Sequence, residues 1–265
     1  MNQAAQGKAG SRRRSAATPA VGKVAAPVGP EGPNVKLTQL VFQAILRAIV
    51  YGRLDLGEPL SESDLARALH VSKAPVRESL NELRLKGLVV VVPQSGSYVF
   101  SPTREQIEEL CDFRSLLESS ALRASMRHDA KSLIADLKKT TAEMRRAYRQ
   151  GDIFLSKRLD TQFHQALFER SANRYLAQSY ENIRHSVEAL RHRFMDTAVY
   201  RNQAFAEHRK LVELLEDGAL NKAAAMLHEH IARTKRFQAR ASWSPGRLRR
   251  KDYKFRDYSQ VFLEE

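Results

Sequence analysis

The sequence predicts a mainly α protein, with an N-terminal winged helix-turn-helix and a C-terminal all-α helical bundle. Three observations lead there. Between Leu60 and Phe100, two short amphipathic helices are followed directly by a β-hairpin pattern. From Thr103 to about Arg240, apolar residues recur at helical spacing with few interruptions. The chain has 265 residues, 43% of them hydrophobic, which is enough for two separate cores.

Residues 1–36 are rich in Ala, Gly, Pro and Lys/Arg and lack periodicity, the composition of a disordered basic arm. The winged module is assigned to residues 37–103. Leu37, Val41, Ile45 and Ala48 repeat at helical spacing, and Gly52 and Gly57 end that pattern. Ser61 with Asp64 resembles a capping box, and Leu60 and Leu65 stand where a hydrophobic staple would close. The short helix that follows turns Leu65, Ala66 and Leu69 inward. His70-Val71 makes the turn, and Ser72 caps a second helix that tolerates Pro75 in its first turn.

Val76, Leu80 and Leu83 form the buried stripe of that second helix, and Gly87 ends it. Lys73, Arg77, Asn81 and Arg84 fall in one narrow arc, about 90° from the stripe at 100° per residue. A docked helix with a basic, amide-bearing neighbouring face is what reading a DNA major groove requires. Val89 to Val92, the turn Pro93 to Gly96 and the run Ser97 to Phe100 make the wing.

The region 104–240 reads as an all-helical effector-binding and dimerisation domain of about six helices. Loop signals near His128–Asp129, Gly151–Asp152, Ala172–Asn173, Ala198 and Asp217–Gly218 divide it. Residues 241–265 form a basic–aromatic tail, with Arg247, Arg249, Arg250, Lys251, Lys254 and Arg256 interleaved with Tyr253, Phe255, Tyr258 and Phe262. Such a tail is either a flexible or loosely docked extension, or a non-specific phosphate contact.

Charge narrows the partner class. The formal net charge is +14, which favours a polyanionic partner. Yet residues 37–103 hold seven basic and six acidic residues, so the reading module is nearly neutral overall. One helix face, rather than bulk charge, therefore points to nucleic acid. The longest apolar run, Leu88 to Val92, is too short to cross a bilayer, and no apolar segment follows Arg12, Arg13 and Arg14 as a secretory signal would need. The single cysteine, Cys111, reads as a small core residue. A cytoplasmic location and no membrane partner are expected.

The helical region also carries a candidate metal set. Asp160 and His164 are four residues apart on one helix face, and His208, His228 and His230 follow downstream. One carboxylate and three imidazoles from three helices suit Zn²⁺ or a related divalent ion, with open positions for water or ligand. Leu220, Ala224, Leu227 and Ile231 form the buried stripe of the last helix. His228 and His230 flank it on opposite sides at about 80° each, so periodicity leaves the choice between them open.

The string GRLDLGEPLSESDLARALHVSKAPVRESLNELRLKGLV resembles the N-terminal domain of the GntR family of transcription regulators. The match spans about 65 residues. The resemblance implies that Ser72, Lys73, Ala74, Arg77 and Gly96 contact DNA; the helical arc adds Asn81. Lys73 stands where the family most often has Arg, and Ser63 where some members have a contacting Arg. Both departures change the operator expected, because Arg reads guanine bidentately and Lys does so less well.

The remainder is similar to the helical FCD effector domain of FadR-type members, with about six helices as in the VanR-like subgroup. In that domain an Asp-x-x-x-His, the His of an EHR element and a His 22 residues later hold the metal. Carried over, these are Asp160, His164, His208 and His230, with Zn²⁺ foremost and Ni, Mn or Fe as alternatives. FRSLLESSALR matches the start of the first effector helix, which implies that Arg114 clamps a ligand carboxylate. Its other role is a helix pair with Glu118. Arg184, Arg191 and Arg193 are further candidates for the same pocket.

The resulting expectation is a homodimeric repressor that reads double-stranded operator DNA and is switched by a small organic acid at the metal site; it is not an enzyme. Two other readings are a metal-dependent enzyme using the Asp/His cluster and an architectural nucleic-acid binder using the basic tails.

Overall fold

The computed structural model describes residues 33–238 together with Tyr258, Val261 and Phe262. The N-terminal arm and most of the basic tail singled out above lie outside these residues. Helix α1 (Pro33–Val50) leads into the short edge strand β1 (Pro59–Leu60), then α2 (Glu62–Ala68), α3 (Lys73–Leu85) and the hairpin β2 (Val89–Val92) and β3 (Gly96–Val99). Five helices complete the described fold: α4 (Arg104–Gln150), α5 (Ile153–Glu169), α6 (Arg174–Phe194), α7 (Ala198–Glu216) and α8 (Leu220–Gln238).

Local signals in the head act as the spacing requires. The Ser61 hydroxyl accepts from the Asp64 amide at 3.2 Å and caps α2. Ser72 occupies the N-cap of α3, but its side chain makes no capping bond. Leu65, Val76, Leu83, Leu88 and Val99 are fully buried, each stabilising the head by about 2 kcal/mol. The sheet is antiparallel with order β1-β3-β2, and Val90 pairs with Tyr98 and Val92 with Gly96. Strand β1 carries no sequence signal of its own, since two residues are too few to show alternation. Gly96 has φ +114° at the wing tip, with open space where a Cβ would go. Its requirement is therefore conformational rather than steric.

The 47-residue helix α4 is not straight. Asp129 has non-helical dihedrals (φ −152°, ψ 69°), and its Oδ1 accepts from the Ser132 amide at 3.1 Å. The break signal at His128–Asp129 is thus a capped kink within one helix, which accounts for five continuous helices where six segments were expected. Helix α4 packs on α5, α6, α7 and α8, so it forms the spine of the bundle. Helix α6 also touches α1, bridging bundle and head. Cys111 is buried.

Candidate functional site

The first candidate surface is the exposed face of α3. Lys73, Ala74, Arg77, Asn81 and Arg84 are all exposed, as are Ser72 and Gly96. Arg84 donates to the Asn81 side-chain oxygen at 3.0 Å, which fixes that amide's orientation on the arc. Arg77 is paired bidentately with Glu62 of α2, at 3.0–3.2 Å. This exposed carboxylate was not foreseen. The only trace of it in the sequence is that α2 begins beside α3 in any helix-turn-helix.

The second candidate lies inside the bundle, on the line where α5, α7 and α8 meet α4. His164, His208 and His230 converge there, each fully buried, with one potential ligand atom from each within 4.8 Å of the others. Carboxylates orient two of the rings. His164 Nδ1 lies 2.8 Å from Glu118 Oε2, and His230 Nδ1 lies 2.8 Å from Glu207 Oε2. Each carboxylate sets its imidazole as the Nδ1–H tautomer and turns Nε2 inward. His230 Nε2 and both His208 nitrogens have no hydrogen-bond partner although they are buried. Phe163 stacks on the His208 ring with centroids 4.1 Å apart, holding its plane.

Burial first, then the neighbouring cations, holds the His164 pKa well below the ordinary imidazole value. Burial and then His230 depress His208 to about 3. Burial also lowers His230, partly offset by its bond to Glu207. Three neutral imidazoles with inward lone pairs and carboxylates behind two of them form a donor set that fits a divalent cation.

Asp160 is buried beside the cluster, with Oδ1 3.8 Å from His208 Nε2. Its other oxygen forms an ion pair with Arg191 Nε at 2.5 Å. Burial opposes its ionisation, but Arg191 and then the imidazoles outweigh that and hold the carboxyl below the usual range. Arg114 is fully buried and forms the helix pair with Glu118. It donates to Glu118 at 2.6 Å and also reaches His164 Nε2 at 3.2 Å. Burial works against its charge, yet Glu118 more than restores it and its pKa lies above the ordinary value.

Other candidates are dispersed. His228 is exposed and bonds Ser115 Oγ at 2.8 Å, away from the cluster. Arg184 is held by Glu181 and Glu188 and lines a cleft of about 500 Å³ between head and bundle, bordered by α1, α3, α5 and α6. Arg191 stands two turns later on the same helix and meets Asp160 and Thr161 instead. Arg193 is likewise elsewhere, donating to the backbone oxygens of Ile49 (3.1 Å) and Leu54 (2.6 Å) in the head. Two residues along a helix is a rotation of about 200°, so Arg191 and Arg193 point in opposite directions.

Glu118, Glu207 and Arg233 were missed as members of the cluster's surroundings; Arg233 binds Glu207 at 2.8 Å. Their traces in the sequence are helical offsets, Glu118 four residues after Arg114 and Arg233 three after His230. Thr161 and His192 were missed as well. The Thr161 hydroxyl accepts from Arg191 at 3.1 Å and stands 3.1 Å from His192 Nε2. The His192 ring stacks on Tyr51 of the head with centroids 5.1 Å apart.

Comparison with known proteins adds an independent line. Residues 37–99 match the bacterial regulatory proteins of the gntR family, and residues 109–233 match the FCD domain. The chain is 25% identical over 198 residues to the HTH-type transcriptional repressor RspR of Escherichia coli K12, covering 74% of this chain and 87% of that protein. It is 28% identical over 177 residues to the Nta operon transcriptional regulator of Aminobacter aminovorans, covering 66% and 81% of the two chains. The crystal structure of a GntR transcriptional regulator from Rhodococcus sp. RHA1 superposes with a TM-score of 0.67 at 22% identity, over 78% of this chain and 99% of that one. E. coli McbR/YncC superposes with a TM-score of 0.66 at 21% identity, over 77% and 97%. These solved structures share the fold.

Proposed function

Because the chain belongs to the gntR family of bacterial regulatory proteins and carries an FCD domain behind its winged head, we propose that it is a metal-dependent, ligand-switched repressor. It is a DNA-binding transcription regulator, and its relatives are regulators rather than enzymes.

The observation that carries it is the buried, neutral triad of His164, His208 and His230, in which His230 Nε2 and both His208 nitrogens have no hydrogen-bond partner. In this reading the three imidazoles hold a divalent cation, Zn²⁺ first, with Asp160 as the fourth protein donor. When bound, the metal supplies a positive centre with open positions for a small carboxylate. Glu118 and Glu207 keep the imidazole tautomers fixed. Arg114 and Arg191, both buried beside the cluster, orient the carboxylate of the effector and balance its charge.

Any change at Arg191 bears directly on the head, because α6 carries Arg191, His192 and Arg193 in succession. The first reaches Asp160, the second stacks on Tyr51, and the third binds the oxygens of Ile49 and Leu54. An effector shifts operator affinity only if it binds one arrangement of the heads better than another. A helix shared by site and head is what allows that difference.

On the DNA side, Ser72, Lys73, Ala74, Arg77, Asn81 and the wing tip at Gly96 form the reading surface. Two such heads in a homodimer read a pseudo-palindrome, since operator symmetry mirrors protein symmetry. Working on operator DNA, the protein acts in the cytoplasm. Among the described residues no helix is long and apolar enough to cross a membrane.

Metal analysis of purified protein, paired with a thermal-shift screen of organic acids, tests the reading. Wild type is expected to hold about one ion per chain and gain stability with an acid, while His208→Ala holds none and gives no shift. A wild-type protein that neither retains nor takes up a divalent ion would overturn the metal site.

A further inference from the structure

The head is gripped at one shoulder, the turn that joins α1 to β1. From the bundle side, Arg193 binds the oxygens of Ile49 and Leu54, and its side chain lies 3.6 Å from where a Cβ on Gly52 would sit. The same shoulder is held a second time by residues far along the chain. Tyr258 and Val261 are buried, at 4% and 2% exposure, and Phe262 packs beside them. The Tyr258 hydroxyl donates to the Pro59 oxygen at 2.7 Å, and Arg53 Nη1 donates to the Val261 oxygen at 3.2 Å. A turn closed by the Val261 amide on the Tyr258 oxygen, at 2.9 Å, presents both residues together.

The chemistry of the contact is complementary. Strand β1 is a sheet edge, and Pro59 has no N–H to offer there, so its carbonyl is the available group and a phenolic donor suits it. Two largely apolar side chains removed from water supply the driving force, and the two hydrogen bonds set the register. Nothing in the FCD or gntR matches covers these residues, because the later match ends at residue 233. The contact belongs to this chain's own extension.

We propose that the C-terminal segment at Tyr258–Phe262 is an intramolecular strap that docks on the α1–β1 shoulder and fixes the orientation of the winged head for operator reading. Among the described contacts the bundle meets the head through α6 and through Phe154 of α5, which packs on Tyr51 with ring centroids 4.6 Å apart, and Arg193 holds the shoulder itself. Arg53 and Pro59 flank the Leu54 oxygen that Arg193 binds, so docking of Tyr258 and Val261 there orders the turn that the bundle grips before DNA arrives. In a dimer that reads two half-sites at once, such pre-organisation strengthens binding without adding a DNA contact. Pro59 and Arg53, which hold the strap, lie outside the exposed arc of α3. The inference needs the DNA-binding head but not the metal or the effector.

The test uses the full-length chain as wild type, Tyr258→Phe, Tyr258→Ala and Val261→Asp, all kept metal-free with EDTA. Hydrogen exchange of the amides between Arg53 and Leu60 is expected to quicken about tenfold in Val261→Asp and Tyr258→Ala. Tyr258→Phe, which keeps the ring and loses the hydroxyl, is expected to fall between them and wild type. Protection within α4 and α5 should be unchanged, showing that the bundle is still folded. Unchanged exchange at the shoulder would overturn docking. Affinity is then measured on a duplex selected by the wild-type protein from a randomised pool. About a tenfold loss is expected for Val261→Asp, and affinity equal to or tighter than wild type would overturn the orienting role.

Discussion

His192 provides a test of how head and bundle are joined. Its ring is buried at 1% exposure, faces Thr161 and stacks on Tyr51 at an interplanar angle of 18°. Burial first, and then the Arg191 guanidinium next to it, lowers its pKa from 6.5 to about 3. The folded protein therefore holds it neutral, while the unfolded chain protonates it near 6.5. Below that pH the unfolded state binds more protons, so stability falls with acid. The contribution is complete above pH 6.5, declines by about 1.4 kcal/mol per pH unit and levels off near pH 3. At pH 4.5 the loss from this one residue is about 3 kcal/mol, a large fraction of the stability of a typical domain. Replacing it by Gln removes the titration, whatever that change costs at neutral pH. Urea unfolding in EDTA at pH 7.5 and 4.5 should show wild type losing about 3 kcal/mol more than His192→Gln. Equal losses in the two proteins would refute the assignment of a buried neutral imidazole at the joint.

Two further outcomes concern the two sites. Arg77→Ala removes an exposed side chain paired only with Glu62 in the described contacts, so the melting temperature should hold while specific operator affinity, read by fluorescence anisotropy, falls about 5- to 150-fold. Retained discrimination between operator and scrambled DNA would show that the reading face lies elsewhere. Glu207→Gln keeps an acceptor for His230 Nδ1 but removes the charge behind it, and Zn²⁺ affinity by calorimetry should drop about 10- to 100-fold. Unaltered affinity would mean that His230 is not a ligand.

Much of the head was legible in the sequence because its signals are local. A cap at Ser61, the stripe Val76, Leu80 and Leu83, and the hairpin after Gly87 each depend on residues a few positions apart. Periodicity also placed Lys73, Arg77, Asn81 and Arg84 on one arc, since a helix converts spacing into direction. Strand β1 escaped because its pairing partner, β3, lies almost forty residues downstream. The cluster was half legible. Residue types and helix faces made Asp160, His164, His208, His228 and His230 candidates, and the family resemblance singled out His230. Their neighbours depended on contacts that spacing does not encode.

The sequence by itself determined most of the order of elements, the basic arc of α3 and the chemistry available inside the bundle, because these follow from side-chain type and backbone period. Tertiary packing decided the rest. His228 and His230 stand at equal angles from the buried stripe of α8, yet one meets Ser115 at the surface and the other meets Glu207 and its fellow imidazoles. Arg191 and Arg193 are two residues apart, yet one faces the cluster and the other holds the head. The strap at Tyr258 depends on Pro59, 199 residues earlier. In each case the outcome is set by which helix or turn arrives opposite. That is a property of the packed bundle, in which burial first removes water as an alternative partner and the nearest complementary group then takes its place.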